Sequence, residues 1–155
     1  MTPKRRGHKV ADLRRRAPRK EPYDRVLIVC EGEKTETNYF RELCDIQKLS
    51  TANIVVMQGE GNDPVSVVKT AKNRQDRERK QGEKYDRVYC VFDRDEHANY
   101  REGCQKAEKE NFVCALSNPC FEYWLLLHFR DSRAPYARSG GRTAAQNCEH
   151  DLKKE

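Results

Sequence analysis

The sequence predicts an α/β domain built on a mostly parallel sheet of about four strands with helices on both faces, and three observations carry that expectation. Short apolar runs alternate with longer amphipathic stretches in the order β-α-β-α-β-α-β-α, and parallel strands require crossover connections, usually helices. The first run, Val-Leu-Ile-Val-Cys at 26–30, is apolar at every position, as befits a strand covered on both sides. Charged and hydrophobic residues each make up 36% of the 155 positions, so a single modest core must be assembled from those few segments.

The elements follow in order. Residues 1–22 end in Ala-Pro-Arg-Lys-Glu-Pro and form a basic arm whose composition cannot build a core, expected to be flexible. The α/β domain is expected over 23–130. Its first strand ends at Glu31-Gly32, and Thr35 to Leu49 places Tyr39, Phe40, Leu43, Ile46 and Leu49 at helical steps behind the helix-start residues Thr35 and Thr37. Asn53 to Met57 is a second strand. Pro64 to about Gly82 is a helix with a strip of Val65, Val68 and Ala71 and a highly charged end. A third strand covers Asp86 to Phe92, a helix Tyr100 to Glu110, and a fourth strand Asn111 to Leu116. Phe121 to Phe129 is a strongly apolar helix that should be central, with Trp124, Leu125, Leu126, Leu127 and Phe129 in the core. A Pro/Gly/Arg-rich loop and the start of a charged helix from Thr143 to Glu155 fill 131–155. No internal repeat interrupts this pattern.

Charge is uneven along the chain. Nine Lys or Arg stand against Asp12 alone within the first 20 residues, so the arm carries +8 of a total of +6 and the remainder is nearly neutral. A run this basic, with Arg14, Arg15 and Arg16 at its centre, either solubilises the chain or binds nucleic-acid phosphates without sequence preference. The seven cysteines (30, 44, 90, 104, 114, 120, 148) form no C-x-x-C pair and lie largely in apolar runs, as expected of buried free thiols in a reducing cytoplasm. Scattered Cys with His97, His128 or His150 lack zinc-finger spacing. The absence of an 18-residue apolar stretch and of an apolar segment behind the basic start predicts neither a membrane span nor a secretory signal.

Ligands of open parallel sheets bind outside the carboxyl ends of the strands, and here those ends are acidic. Glu31, Glu33 and, one turn on, Glu36 follow the first strand; Asp93, Asp95 and Glu96 follow the third. If the two strands are neighbours, the carboxylates converge at one rim. Clustered carboxylates repel one another, a cost that a hard cation removes, and an oxygen-only set suits Mg²⁺ or Mn²⁺ rather than zinc. Asp-x-Asp directs alternate side chains to one side of an extended segment, a ligand geometry, whereas Glu33 and Glu36 would also serve simply to complement the positive end of the next helix. Gly32 would permit a sharp exit from the strand and leave space for a phosphate or water beside the backbone.

The run V-L-I-V-C-E-G and the later V-F-D-R-D resemble the Toprim signature of topoisomerases, primases and OLD-type nucleases. The segments C-E-G-E-K-T-E-x-x-Y-F (30–40), F-D-R-D-E-H (92–97) and S-N-P-C-F-E-Y-W-L-L-L-H-F (117–129) resemble the RloB-like family in particular. That resemblance implies Glu31 as the Toprim glutamate, a general acid or base, with Asp93 and Asp95 as metal ligands. Glu36, Glu96 and Glu122 are weaker additions, Glu122 being equally placed to favour a helix start. Lys34 is a candidate phosphate contact or a plain surface lysine, and His97 a candidate acid or base or a solvated neighbour. The resemblance further implies a prokaryotic defence or restriction setting beside an AAA/ABC-type ATPase. It also implies a chain that usually continues further, so a partial chain or a short variant is expected.

The expected activity is therefore Mg²⁺- or Mn²⁺-dependent hydrolysis of a phosphodiester in RNA or DNA. A non-catalytic regulatory or nucleic-acid-binding subunit is the alternative. A phosphotransfer domain fits less well, because its Asp-x-Asp usually follows the first strand and here it follows the third.

Overall fold

Four parallel strands, β1 (Val26–Cys30), β2 (Ile54–Gln58), β3 (Arg87–Asp93) and β4 (Val113–Ser117), pair in the order β2-β1-β3-β4 in a computed structural model that describes residues 23–94, 98–133 and 135–155. The arm with Arg14, Arg15 and Arg16, and the segment Asp95, Glu96 and His97, lie outside the described residues. The helices are α1 (Thr35–Ile46), α2 (Pro64–Lys80), α3 (Tyr100–Lys109), α4 (Phe121–Leu126) and α5 (Ala144–Leu152). The α/β class, the parallel sheet and the helices on both faces agree with the sequence pattern.

Strand alternation sorts the core into two layers. Leu27 and Val29 of β1, with Cys90 and Phe92 of β3, point to the side where α2 supplies Val67, Val68 and Ala71 and α3 supplies Ala107. Ile28, Cys30 and Val91 point to the other side, against Tyr39 and Phe40 of α1 and Phe121 and Leu125 of α4. Val65, predicted in the buried strip of α2, is only half-buried, and Val67 takes its place.

Capping fixes where the helices run. Asp63 accepts hydrogen bonds from the amides of Val65 (3.0 Å) and Ser66 (3.2 Å) ahead of Pro64, which starts α2. Helices α1, α2 and α3 all stop at a left-handed residue, Lys48, Gly82 and Asn111 respectively. In each case the next amide reaches back to the last turn: Leu49 to Cys44 O (2.9 Å), Glu83 to Glu78 O (3.0 Å) and Phe112 to Ala107 O (2.8 Å). This is why α1 ends at Ile46 and not at Leu49 as periodicity suggested. A capping box of Thr143 and Gln146 opens α5, which ends at Leu152.

The expectation of a central, fully buried helix over Phe121–Phe129 is corrected. Helix α4 spans under two turns, and only Phe121 and Leu126 are buried in it, while Trp124 (47%), Leu127 (38%) and Phe129 (64%) are exposed. A segment apolar on every side offers more apolar surface than one sheet face and α5 can cover. Between α1 and α4 the sheet floor of Val91 and Ala115 lies open as a groove of about 400 Å³ edged by Leu43, Trp124 and Leu127.

Candidate active site at the carboxyl ends of β1 and β3

The strand order reverses between β1 and β3: the chain leaves β1 toward β2 on one side and returns to β3 on the other. In doubly wound sheets this reversal opens a crevice between diverging connections, the usual ligand site. Register pairing of Cys30 with Val91 brings the residues that follow both strands to this point. The amide of Glu31 donates to Val91 O at 2.9 Å, and Glu31 Oε2 accepts from the Asp93 amide at 3.2 Å. Glu31 is buried and Asp93 half-buried. On the far side of β3, Asp93 is in register with Ser117 of β4, and the Arg94 amide donates to Ser117 O at 2.8 Å. The Glu31 carboxylate is therefore tied to the Asp93 backbone, which brings the two residues singled out from the sequence together at one rim.

Glu36 and Glu122 complete the acidic rim. Glu36, in the first turn of α1, is 6% exposed. Burial pushes its carboxyl above the usual range, and the negative charges of Glu122 and Glu31 push it in the same direction, against backbone hydrogen bonds at its own amide and at Gly32. Glu122, in the first turn of α4, is half-buried and hydrogen-bonds the Cys120 thiol. The Thr37 hydroxyl donates to Gly32 O at 3.2 Å and ties α1 to the turn.

Gly32 acts differently from its expected role. A Cβ there would lie 1.7 Å from the Glu36 carboxylate. The space beside its backbone is filled by Glu36 and is not open to a phosphate or water. Sequence reasoning missed this seat, although a glycine four residues ahead of a glutamate at a helix start was its visible sign.

Lys34 is exposed at the N-cap of α1 and makes no side-chain capping bond, consistent with either role considered for it. The thiols near the rim are poor nucleophiles: burial pushes Cys30 up to about 12, and burial followed by the Glu122 hydrogen bond also raises Cys120. All seven cysteines are free, five of them buried.

The donor set is carboxylate only, which fits a hard divalent cation such as Mg²⁺ or Mn²⁺. Among the described residues, no three His, Cys, Asp or Glu side chains stand together as a chelating group. The predicted set draws its third member, Asp95, from outside them.

A four-stranded parallel sheet whose strand order reverses between β1 and β3 belongs to the doubly wound α/β class. The family model described as RloB-like protein matches residues 26–155, and the chain belongs to the RloB-like family. No curated protein and no solved structure matches it. Among the described residues, no helix is long and apolar enough to cross a membrane.

Proposed function

We propose that the chain is a divalent-metal-dependent nuclease that hydrolyses phosphodiesters of RNA or DNA. The observation that carries this reading is the hydrogen bond from the Asp93 amide to Glu31 Oε2, which fixes two acidic strand ends side by side at the switch point. Glu31, Asp93 and Asp95 would hold one Mg²⁺ or Mn²⁺, with Glu36 and Glu122 behind them. When bound, such an ion supplies Lewis-acid stabilisation of the charge that develops on a phosphoryl group in flight. The chain's own residues supply the rest. Glu31 is the general acid or base, its geometry fixed by the Asp93 amide; Lys34 offers a point charge to a substrate phosphate; and Arg14, Arg15 and Arg16 add affinity for nucleic acid without specificity. Membership of the RloB-like family supports placing this activity in prokaryotic anti-phage defence, in the cytoplasm and beside an AAA/ABC-type ATPase.

The second reading is a non-catalytic regulatory or nucleic-acid-binding subunit of such a complex. One experiment separates the two. Cleavage of labelled RNA and DNA is measured with Mg²⁺ or Mn²⁺, with and without the co-encoded ATPase, for the wild type, Glu31→Ala and Asp93→Ala. A metal ligand should cost about 100-fold or more, beyond the loss typical of a residue that only supports a ligand. Cleavage indifferent to both substitutions, or none under any condition, leaves the regulatory reading.

A further inference from the structure

On the face opposite α1 and α4, helices α2 and α3 run side by side and present four lysines to one shallow groove. Lys69 and Lys72 come from α2, Lys106 and Lys109 from α3, over a floor of Val65 and Val68, and the groove encloses about 260 Å³. The helices approach closely at their starts because Gly103 lies against Pro64, where a Cβ would come within 2.6 Å of the Pro64 Cβ. The i, i+3 spacing on each helix stacks both ammonium pairs on the facing sides. Their aliphatic stems can lie along the valine floor while the charged heads stay in water. Lys72 is paired with Glu110, and Lys106 with Glu102 of its own helix at 2.8 Å. Lys69 and Lys109 have no ion-pair partner among the described residues. The groove therefore carries net positive charge on a globular part that is otherwise close to neutral, which is a local bias and not a general property of the surface.

Position gives this bias a direction. Helices α2 and α3 start beyond the carboxyl ends of β2 and β3. At 1.5 Å of rise per residue, the four lysines lie roughly 7–14 Å along the helices from those starts, which open on the same end of the sheet as the acidic rim. Packed helices stand about 8–10 Å apart, so the lysines of α2 and α3 that line this groove can reach the same stretch of phosphate backbone. No arginine lines the groove, and lysines grip phosphates as point charges without the planar fork that reads carboxylates or base edges.

We propose that the α2–α3 lysine groove binds the phosphate backbone of a single nucleic-acid strand and leads it toward the carboxylate rim. The proposal rests on the nucleic-acid half of the functional reading but not on catalysis.

The test is binding of a labelled oligothymidylate of roughly 20 nucleotides, long enough to cover the site of a typical single-strand binder. Fluorescence anisotropy is followed across a NaCl series in EDTA, so that no cleavage intervenes. The full chain is compared with Lys69→Glu/Lys109→Glu, with the milder Lys69→Gln/Lys109→Gln, and with Lys80→Gln/Lys84→Gln as a control of equal charge loss at the other end of α2. Each is also made with Arg14, Arg15 and Arg16 changed to Gln, to separate the groove from the arm. Neutralising two phosphate contacts should lower the slope of log K against log salt by about 1.4, and charge reversal should weaken binding about 10-fold or more at low salt. Equal losses in the control pair, or none in the groove pairs, would overturn the proposal. So would competition by polyglutamate as strong as by oligothymidylate, or an equal lysine dependence with duplex of the same length. If groove dependence holds while no cleavage is ever found, the nuclease reading falls and the groove stands. If cleavage requires Glu31 while groove variants bind as wild type, the reverse follows.

Discussion

Glu78 and Glu36 sit at opposite ends of the same sheet, equally buried, and the protein treats them in opposite ways. Glu78, 8% exposed at the end of α2, is held by Arg25 at 3.2 Å and Arg74 at 3.0 Å. Arg25 also reaches Glu83 at 2.5 Å and lies over the Tyr85 ring, 5.0 Å from its centroid. Glu36, 6% exposed at the other end, has no ion-pair partner among the described residues, and the charges that raise its carboxyl, Glu122 and Glu31, are both negative. A buried carboxylate is costly unless paired. At the amino ends of the strands arginines offset that cost within the fold; for Glu36 no cation among the described residues does so. A cation bound at the proposed site would supply the charge that Glu36 lacks.

The largest effect expected from this contrast is at the paired end. Glu78→Ala leaves the Arg25 and Arg74 guanidiniums facing each other without their shared carboxylate. Because Arg25 is partly solvated, the expected loss is about 2–3 kcal/mol, below the range for fully buried pairs. For a chain of this length that lowers Tm by roughly 5–10 °C. Urea and thermal unfolding would measure it, and a loss under about 0.5 kcal/mol, within the range of ordinary surface substitutions, would erase the difference between the two ends.

At the unpaired end the sign reverses. Because the folded-state pKa of Glu36 is raised, the folded chain holds its proton more tightly than the unfolded chain does. Its contribution to stability is therefore fully present below the ordinary glutamate range and is lost as pH rises through the elevated folded value. At neutral pH the ionised side chain is a net cost. Glu36→Gln should accordingly raise Tm near neutral pH in EDTA, and the gain should shrink to nothing as pH falls below the ordinary glutamate range. Saturating Mn²⁺ should stabilise the wild type, by about 2.7 kcal/mol at a hundredfold excess over Kd, and the Gln variant by less. Destabilisation by Glu36→Gln at every pH would mean that the carboxylate is a structural hydrogen-bond acceptor and no more.

What the sequence made legible followed from local chemistry. The short apolar runs ending at Cys30 and Phe92 read as strands, which placed the residues after them at strand ends, so Glu31 and Asp93 were identifiable before any geometry was known. Their meeting was not, because strand order depends on which helices pack on which face, and neither hydropathy nor spacing encodes that. The same gap hid the lysine groove: the i, i+3 pairs 69/72 and 106/109 are plain in the sequence, but not that α2 and α3 are neighbours. Trp124, Leu127 and Phe129 erred the other way. Their hydropathy states a preference for burial, while burial also requires a partner surface, and α4 is too short for the sheet and α5 to supply one.

Gly32 sharpens the contrast at the smallest energetic scale. A methyl group there would overlap the Glu36 carboxylate, but the obstructing atoms are the far end of a flexible side chain and not backbone. Gly32 does not have the left-handed φ found at Gly82, Gly140 and Gly141, so alanine meets no backbone strain. Gly32→Ala should then cost less than about 1 kcal/mol of stability, as expected where the substituted residue can adopt the native backbone. The substitution must nevertheless move Glu36 out of its seat and away from Glu31 and Glu122. A loss of Mn²⁺-induced stabilisation comparable to that of Glu36→Gln, with the metal-free Tm nearly unchanged, would mark the Gly32–Glu36 contact as part of the site. A large drop in metal-free Tm with metal response intact would instead make Gly32 a packing residue, and the acidic rim would then begin and end with the residues that follow the strands.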